Sequence, residues 1–157
     1  TGLAQAREAA GLLAGTGVQR ILASTMNRAW DTAHIAGETM GVVPTPEPRL
    51  RERWFGDLVG TSSAELDWSF DPPNGERLRD FAARTRRALA DCLTSNVPTL
   101  LVAHGGSLYV IAYSLGVELR EDMAHNATPL LFERSGGKWE AHHLAPARLQ
   151  RGGNIGW

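Results

Sequence analysis

The sequence has very little cysteine, very little lysine and no long apolar run. Its 157 residues include one cysteine, Cys92, which excludes an internal disulfide framework and a zinc site built from several cysteines. No apolar run approaches the length that crossing a bilayer requires. No basic segment followed by an apolar stretch opens the chain in the manner of a signal peptide. These absences predict a cytoplasmic protein with no membrane partner.

The sequence also has no large excess of positive or negative charge. Lys and Arg together number 16 and Asp and Glu 17, so the net charge is −1 and binding to nucleic acid through bulk charge is not expected. Of the 16 basic residues only Lys138 is a lysine. Arginine suits forked binding of oxyanions, although a genome with biased codon use produces the same excess.

Apolar periodicity predicts alternating helices and strands. Helices are expected over residues 3–15, from a Ser24 or Thr25 cap to Gly41, over 76–94, and from Gly105-Gly106 through Leu115. Strands are expected at 21–23, 42–43, 99–103, 130–133 and 139–144.

This pattern is typical of a three-layer α/β/α domain whose mostly parallel sheet has an antiparallel edge region. Three prolines at 44, 46 and 48 exclude regular structure there, and residues 49–75 form a long loop. We expect one domain over residues 1–148 and a tail over 149–157.

His104 is the first candidate functional residue. It follows the apolar strand at 99–103 and precedes Gly105, where the next helix begins. Ligands of open α/β sheets bind beyond the carboxyl ends of the strands, and the amino end of a helix there attracts an anion. A histidine that packs in the core or caps the helix has the same local pattern, so both roles stay open.

Arg28 and Glu52 are two further candidates. Arg28 follows the strand at 21–23 and begins a helix, where a guanidinium opposes the helix dipole unless an anion compensates. Glu52 lies close to two aromatic residues, and burial beside them would raise the pKa of a general acid. A solvated Arg28, and a surface Glu52 paired with Arg51 or Arg53, are the alternatives.

Six short motifs follow one another along nearly the whole chain. In order they are Gly2-x-x-Gln5-Ala6, Ser24-x-x-x-Arg28-Ala29-x-x-Thr32-Ala33, Leu50-x-Glu52-x-x-Phe55-Gly56-x-x-x-Gly60, Gly75-Glu76-x-x-x-Asp80-x-x-x-Arg84, Val102-Ala103-His104-Gly105-Gly106 and Asn126-Ala127-Thr128. Their residues, order and spacing resemble those of the histidine phosphatase superfamily, the phosphoglycerate mutase-like proteins.

The resemblance implies a phosphohistidine mechanism without a metal or cofactor. A histidine attacks phosphorus, arginines and a second histidine hold the phosphoryl oxygens, and an acid protonates the leaving oxygen. Arg28 matches the second phosphate arginine, His104 with Gly105 the second-histidine motif of the phosphate pocket, and Glu52 the acid. The ligand would be a small phosphorylated substrate or inorganic phosphate. The short distance from Glu52 to Glu76, 76 − 52 = 24 positions, favours a phosphatase over a mutase.

The family's opening strand, which ends in an Arg-His-Gly triplet and supplies the nucleophile, has no counterpart before Gly2. In the family it lies inside the sheet, between the strands that match 99–103 and 130–133. The hairpin could close that gap, another segment could fill it, or the natural protein could be longer. We expect the last.

The end of the chain is similar to the missing opening. Leu149-Gln150-Arg151-Gly152-Gly153, followed by Trp157, matches the family's Leu-x-Arg-His-Gly and a later tryptophan, with Gly152 in the nucleophile's place. A circular permutation would give this pattern, but we expect a chance match in a glycine-rich tail.

The remaining histidines, His34, His125, His142 and His143, are expected to have structural or surface roles. Trp54, Trp68 and the loop 57–75 are expected to line the entrance of the site, and Trp30 and Trp139 to serve packing.

Two other functions stay open. A non-catalytic phosphate-binding protein would keep Arg28 and His104 without turnover. A serine hydrolase would use His104-Gly105-Gly106 as an oxyanion loop and Ser114 as nucleophile, although Ser114 falls inside a predicted helix rather than after a strand.

Overall fold

The computed structural model describes residues 2–125, 127–144 and 154–156, which form four α-helices and six strands. The helices are α1 (Gly2–Leu13), α2 (Asn27–Met40), α3 (Leu78–Thr94) and α4 (Gly105–Ser114). The strands are β1 (Arg20–Ala23), β2 (Thr45–Pro46), β3 (Thr99–Val102), β4 (Leu130–Ser135), β5 (Lys138–His143) and β6 (Asn154–Gly156).

The strands form one sheet in the order β2-β1-β3-β6-β4-β5. The first four are parallel to one another, whereas β4 is antiparallel to both β6 and β5. The predicted α/β class, with its mostly parallel sheet and antiparallel edge hairpin, is therefore confirmed.

Successive residues of β1 and β3 face two different apolar clusters, as the two-residue period of a strand requires. Ile21 and Leu100 pack in a cluster with α1 and α2, whereas Leu22 and Leu101 pack with α3 and α4. Helices thus cover both faces of the sheet and form the outer two of three layers. Cys92 is buried in the second of these clusters.

The second strand is shifted from its predicted place. The apolar pair at 42–43 precedes the strand, and Thr45 and Pro46 instead pair with Leu22 and Ala23 of β1. The prediction that the prolines exclude regular structure was wrong at Pro46. Among the described strands β2 is at the edge of the sheet, where a residue without an N–H is tolerated.

The strand β6 lies between β3 and β4. Ile155 pairs with Leu100 of β3 on one side and with Leu131 of β4 on the other. This is the place expected for the family's opening strand, so in this structure another segment of the chain fills the gap. Three residues of the predicted tail 149–157 thus belong to the sheet. Arg151 and Gly152, on which the similarity to the family's opening rests, lie outside the described residues.

The long loop between β2 and α3 contains three single 3₁₀ turns, at Pro48–Leu50, Gly56–Leu58 and Ser63–Glu65. Its organising residue is Arg53, of which 3% is exposed. The guanidinium donates hydrogen bonds to the carbonyl oxygens of Glu76, Trp68 and Phe70 at 2.9, 2.6 and 3.1 Å. One buried cation therefore ties together distant parts of this loop.

Three of the four remaining histidines have the predicted structural or surface roles. His34 packs edge-on against Trp30 in α2. On the hairpin, His142 lies 3.4 Å from Glu133, and His143 lies 2.8 Å from Asp122. Within the described ranges, no helix combines the length and the apolarity that crossing a membrane requires.

Candidate active site

A cavity of about 600 Å³ lies at the carboxyl ends of β1 and β3. Its walls come from the amino ends of α1 and α2, from Glu52, from the turn between β3 and α4, and from the connection that leads to β4. All four predicted site residues line it: Arg28, Glu52, His104 and Gly105. Residues far apart in sequence therefore meet at the edge of the sheet where α/β proteins bind ligands.

Arg28 lies in the first turn of α2, and its side chain is exposed on the cavity. No acidic residue precedes or accompanies it in that turn. Within the described residues its guanidinium has no hydrogen-bond or ion-pair partner. A cation held there against the helix dipole is a binding group for an anion.

His104 is half-buried at the start of α4, and its Nε2 lies 2.8 Å from the hydroxyl of Ser24. Burial, together with the positive charges of Arg28, Arg51 and Arg84, lowers the pKa of this imidazole to about 4. The ring is therefore neutral near pH 7. His104 does not hydrogen-bond through its side chain to cap α4, so of its two predicted roles the structure favours the one in the cavity.

Glu52 is half-buried beside His104, and burial raises the pKa of its carboxyl. The carboxyl accepts hydrogen bonds from the backbone N–H groups of Arg53 and Gly106 at 3.1 and 3.2 Å. In the described part of the chain it forms no ion pair with Arg51 or Arg53, whose guanidinium groups bind Thr25 and loop carbonyls instead. A half-buried carboxyl of this kind, with a raised pKa and no ion-pair partner among the described residues, can hold a proton and deliver it.

Arg84 of α3 holds the backbone of residues 49–52 in place and so positions Glu52. Its guanidinium donates to the carbonyl oxygens of Arg49, Arg51 and Glu52 at 2.8, 2.7 and 3.2 Å. It also forms an ion pair with Glu76 at 2.7 Å. Because the Arg84 guanidinium and the Glu76 carboxylate are both partly buried and share two hydrogen bonds, this ion pair is stronger than one on the surface.

Gly106 allows the acid to approach α4. The Glu52 carboxylate and the Trp68 indole both lie against its Cα, and a Cβ there would overlap both groups. Trp68 in turn packs edge-on against Phe55, with the ring centroids 5.0 Å apart. Trp54 and Trp68, expected at the entrance, are absent from the described cavity wall. The Trp54 indole N–H instead donates to the carbonyl oxygen of Asn74 at 3.2 Å.

Two features of the cavity were not predicted from the sequence. Ser24, predicted as a possible cap of α2, instead bonds His104, and the residue at the cap position is Met26, which makes no side-chain cap. His125 was assigned a structural or surface role, but it lines the cavity beside Thr128. Its position directly before the Asn126-Ala127-Thr128 motif was the one signal that could have placed it there.

Ser114 is not arranged as a nucleophile. It is the last residue of α4, and its hydroxyl donates to the carbonyl oxygen of Val110 at 2.7 Å. It does not lie after a strand, as a nucleophile elbow requires, and it does not line the described cavity. The structure therefore does not support a serine hydrolase.

Comparison with known proteins identifies the class of this domain. Residues 1–147 match the model of the histidine phosphatase superfamily (branch 1). The chain therefore belongs to this superfamily, as its six motifs predict.

Individual relatives include phosphatases and other enzymes. A glucosyl-3-phosphoglycerate phosphatase of Mycobacterium tuberculosis is 34% identical over 137 residues, covering 73% of this chain and 61% of that protein. An agropine synthesis reductase of Rhizobium rhizogenes is 34% identical over 158 residues, covering 99% of this chain and 36% of that protein. The chain thus spans less than two thirds of the length of these relatives.

Solved structures with the same fold include a mycobacterial glucosyl-3-phosphoglycerate phosphatase in complex with inorganic phosphate. It matches with a TM-score of 0.70 and 29% identity, covering 92% of this chain and 85% of that one. A structure described as mycobacterial hydrolase 1 matches with a TM-score of 0.72 and 29% identity, covering 90% and 83%.

Proposed function

We propose that this chain carries the phosphate-binding and acid groups of a phosphomonoesterase that works through a phosphohistidine intermediate. The observation that carries the proposal is the meeting of Arg28, neutral His104 and protonatable Glu52 around one cavity. A glucosyl-3-phosphoglycerate phosphatase of the same fold binds inorganic phosphate, which supports the ligand class.

Each residue has a distinct role in the proposed reaction. Arg28 and the N–H groups at the amino end of α4 bind phosphoryl oxygens, and His104 donates a hydrogen bond to one of them. A histidine nitrogen attacks phosphorus as the bond to the leaving oxygen breaks, and Glu52 gives that oxygen its proton. Water then attacks the phosphohistidine, Glu52 takes up the proton, and phosphate leaves.

The attacking histidine is expected in an Arg-His-Gly triplet, which these 157 residues do not contain. We therefore expect the chain alone to hydrolyse an aryl phosphate weakly or not at all. Because β6 occupies the place of that strand between β3 and β4, the strand is joined before Gly2 of a chain that lacks residues 149–157. This extended chain should give turnover and a phosphorylated histidine. The same strand with the triplet histidine replaced by alanine is the control. Robust turnover by the unextended chain would contradict this assignment of the nucleophile.

Phosphate binding can be tested without turnover. Calorimetric titration with inorganic phosphate or vanadate should show binding that Arg28→Ala weakens by roughly 10- to 100-fold, because a charge-assisted hydrogen bond is lost. Arg79→Ala removes an exposed arginine of α3 and should leave the affinity unchanged. No binding by the unaltered chain would contradict the proposed site. Binding by the extended chain without turnover would favour the non-catalytic alternative.

A further inference from the structure

Ser24 joins the ends of the two strands that build the cavity. It is fully buried, directly after β1. Its backbone N–H donates to the carbonyl oxygen of Val102 in β3 at 2.8 Å, and its hydroxyl oxygen lies 2.8 Å from Nε2 of His104. The same oxygen accepts a hydrogen bond from the backbone N–H of Met26 at 3.2 Å. Main-chain and side-chain bonds therefore hold Ser24 and His104 in one fixed relation.

The proton count at the Ser24 hydroxyl determines the direction of its bond to His104. A hydroxyl has one proton to donate and two lone pairs that accept. Met26 N–H occupies one lone pair, and in the described part of the chain the only other partner of this oxygen is His104 Nε2. If Nε2–H donated, the hydroxyl would accept twice and its own proton would be buried without an acceptor, at a cost of about 1–3 kcal/mol. The hydroxyl therefore donates, and Nε2 carries no proton.

We infer that Ser24 is a positioning residue that holds His104 as the neutral tautomer with its proton on Nδ1, and so makes the ring a hydrogen-bond donor to the ligand. Nε2 is occupied by Ser24, so Nδ1 is the ring nitrogen left for the cavity that His104 lines. In this state neither nitrogen has a free lone pair, and His104 is excluded as nucleophile or general base. The inference about the ligand rests on the proposed phosphate site, whereas the inference about the tautomer does not.

The charges around the ring favour the same state. Arg28 of α2, Arg51 of the loop and Arg84 of α3 each oppose a second proton on the imidazole, and burial acts in the same direction. Two acidic residues, Asp31 and Glu52, line the described cavity, and burial raises the pKa of Glu52, which favours its neutral form. A neutral donor can approach the phosphoryl oxygens while Arg28 supplies the positive charge.

The tautomer can be observed directly in the unaltered chain. Long-range proton–nitrogen correlation NMR on histidine-labelled protein at pH 7 distinguishes a protonated from an unprotonated ring nitrogen, and His104→Gln identifies the His104 signals. We expect one species, with Nδ1 protonated and Nε2 bare. A ring protonated on Nε2, or a rapidly exchanging mixture of the two tautomers, would overturn the inference.

Substitutions then test whether Ser24 is the cause. Ser24→Ala should convert His104 into a mixture of tautomers and weaken binding of inorganic phosphate about three- to tenfold, the equivalent of one neutral hydrogen bond. Ser24→Thr keeps the hydroxyl and should restore the single tautomer. Thr85→Ala removes another fully buried hydroxyl, which donates to the carbonyl oxygen of Phe81 within α3, and should change neither quantity.

The outcomes separate the two proposals. A Ser24→Ala protein that keeps the single Nδ1–H tautomer would show that Ser24 does not set it. A Thr85→Ala protein with the same changes as Ser24→Ala would show a general effect of core damage, which also contradicts a positioning role. If the unaltered chain shows the expected tautomer but no phosphate binding, the proposed site fails while the Ser24–His104 assignment stands.

Discussion

At the scale of the residue, the low pKa of His104 couples folding to pH. The folded ring takes up a proton only near pH 4, whereas an unfolded histidine does so near 6.5. Between these values the unfolded chain binds a proton that the folded chain does not, so stability falls as the pH falls through this range. The loss is at most roughly 3 kcal/mol for a shift of this size.

We therefore expect His104→Gln to have a flatter dependence of unfolding free energy on pH between 6.5 and 4. Urea unfolding at pH 7, 5.5 and 4 measures the slopes, which matter more than absolute values because the variant also loses the bond to Ser24. His34→Gln keeps His104 and should retain the slope of the unaltered chain. Parallel curves for both variants would contradict the assignment.

Neighbouring glycines at the start of α4 provide a matched pair of substitutions. A Cβ on Gly106 would overlap the Glu52 carboxylate and the Trp68 ring, whereas a Cβ on Gly105 would meet nothing within 4 Å. Gly106→Ala should therefore lower the unfolding free energy by about 1–3 kcal/mol through overpacking. Gly105→Ala should be neutral or slightly stabilising, because alanine favours a helix. Equal effects on thermal unfolding would show that the contacts at Gly106 are not tight.

At the scale of the element, the long loop depends on Arg53. Arg53→Ala should cost about 2–4 kcal/mol, because it leaves the carbonyl oxygens of Trp68, Phe70 and Glu76 without their donor. Arg53→Lys should recover only part of this, since an ammonium lacks the planar fork. Arg79→Ala, on the exposed face of α3, should stay within about 0.5 kcal/mol in urea unfolding. An Arg53→Ala protein as stable as that control would contradict the role of Arg53.

The helices and central strands could be predicted because the apolar residues of each recur at a regular spacing within a short stretch of sequence. The apolar stripe of the helix predicted up to Gly41 consists of Ala29, Ala33, Ala36 and Met40; the three alanines are buried and Met40 is partly buried. The strand β3 is buried along its whole length. The edge strand β2 could not be predicted in this way. Two residues are too few to show an alternation of apolar and polar side chains, and Pro46 disfavours a strand. The loop around Arg53 could not be predicted either, because hydrogen bonds to distant carbonyls have no period.

The same distinction applies to the site. Arg28 and His104 could be predicted because each follows a strand, and the carboxyl ends of parallel strands meet at one edge. The bond between Ser24 and His104 joins residues 80 positions apart and depends on the register in which Ala23 lies opposite Val102. Register is a property of the assembled sheet, so no local pattern at either residue could reveal their pairing.

At the scale of the whole molecule, the single thiol of Cys92 reports on opening of the core. Cys92 is 5% exposed between α3 and the sheet, and burial raises its pKa, so the reactive thiolate is doubly disfavoured. A thiol reagent should label the native chain at least about a thousandfold more slowly than the urea-unfolded chain. Ala90→Cys with Cys92→Ala places the thiol on the exposed side of α3 and should react rapidly.

Labelling of native Cys92 at the unfolded rate would contradict the packing of α3 on the sheet. With the expected protection, the labelling rate of Cys92 reports the population of chains whose core is open, with no added probe. Inorganic phosphate that binds only the folded state should lower this labelling rate in proportion to its occupancy. Ligand binding at the cavity can then be followed through a buried sulfur on α3.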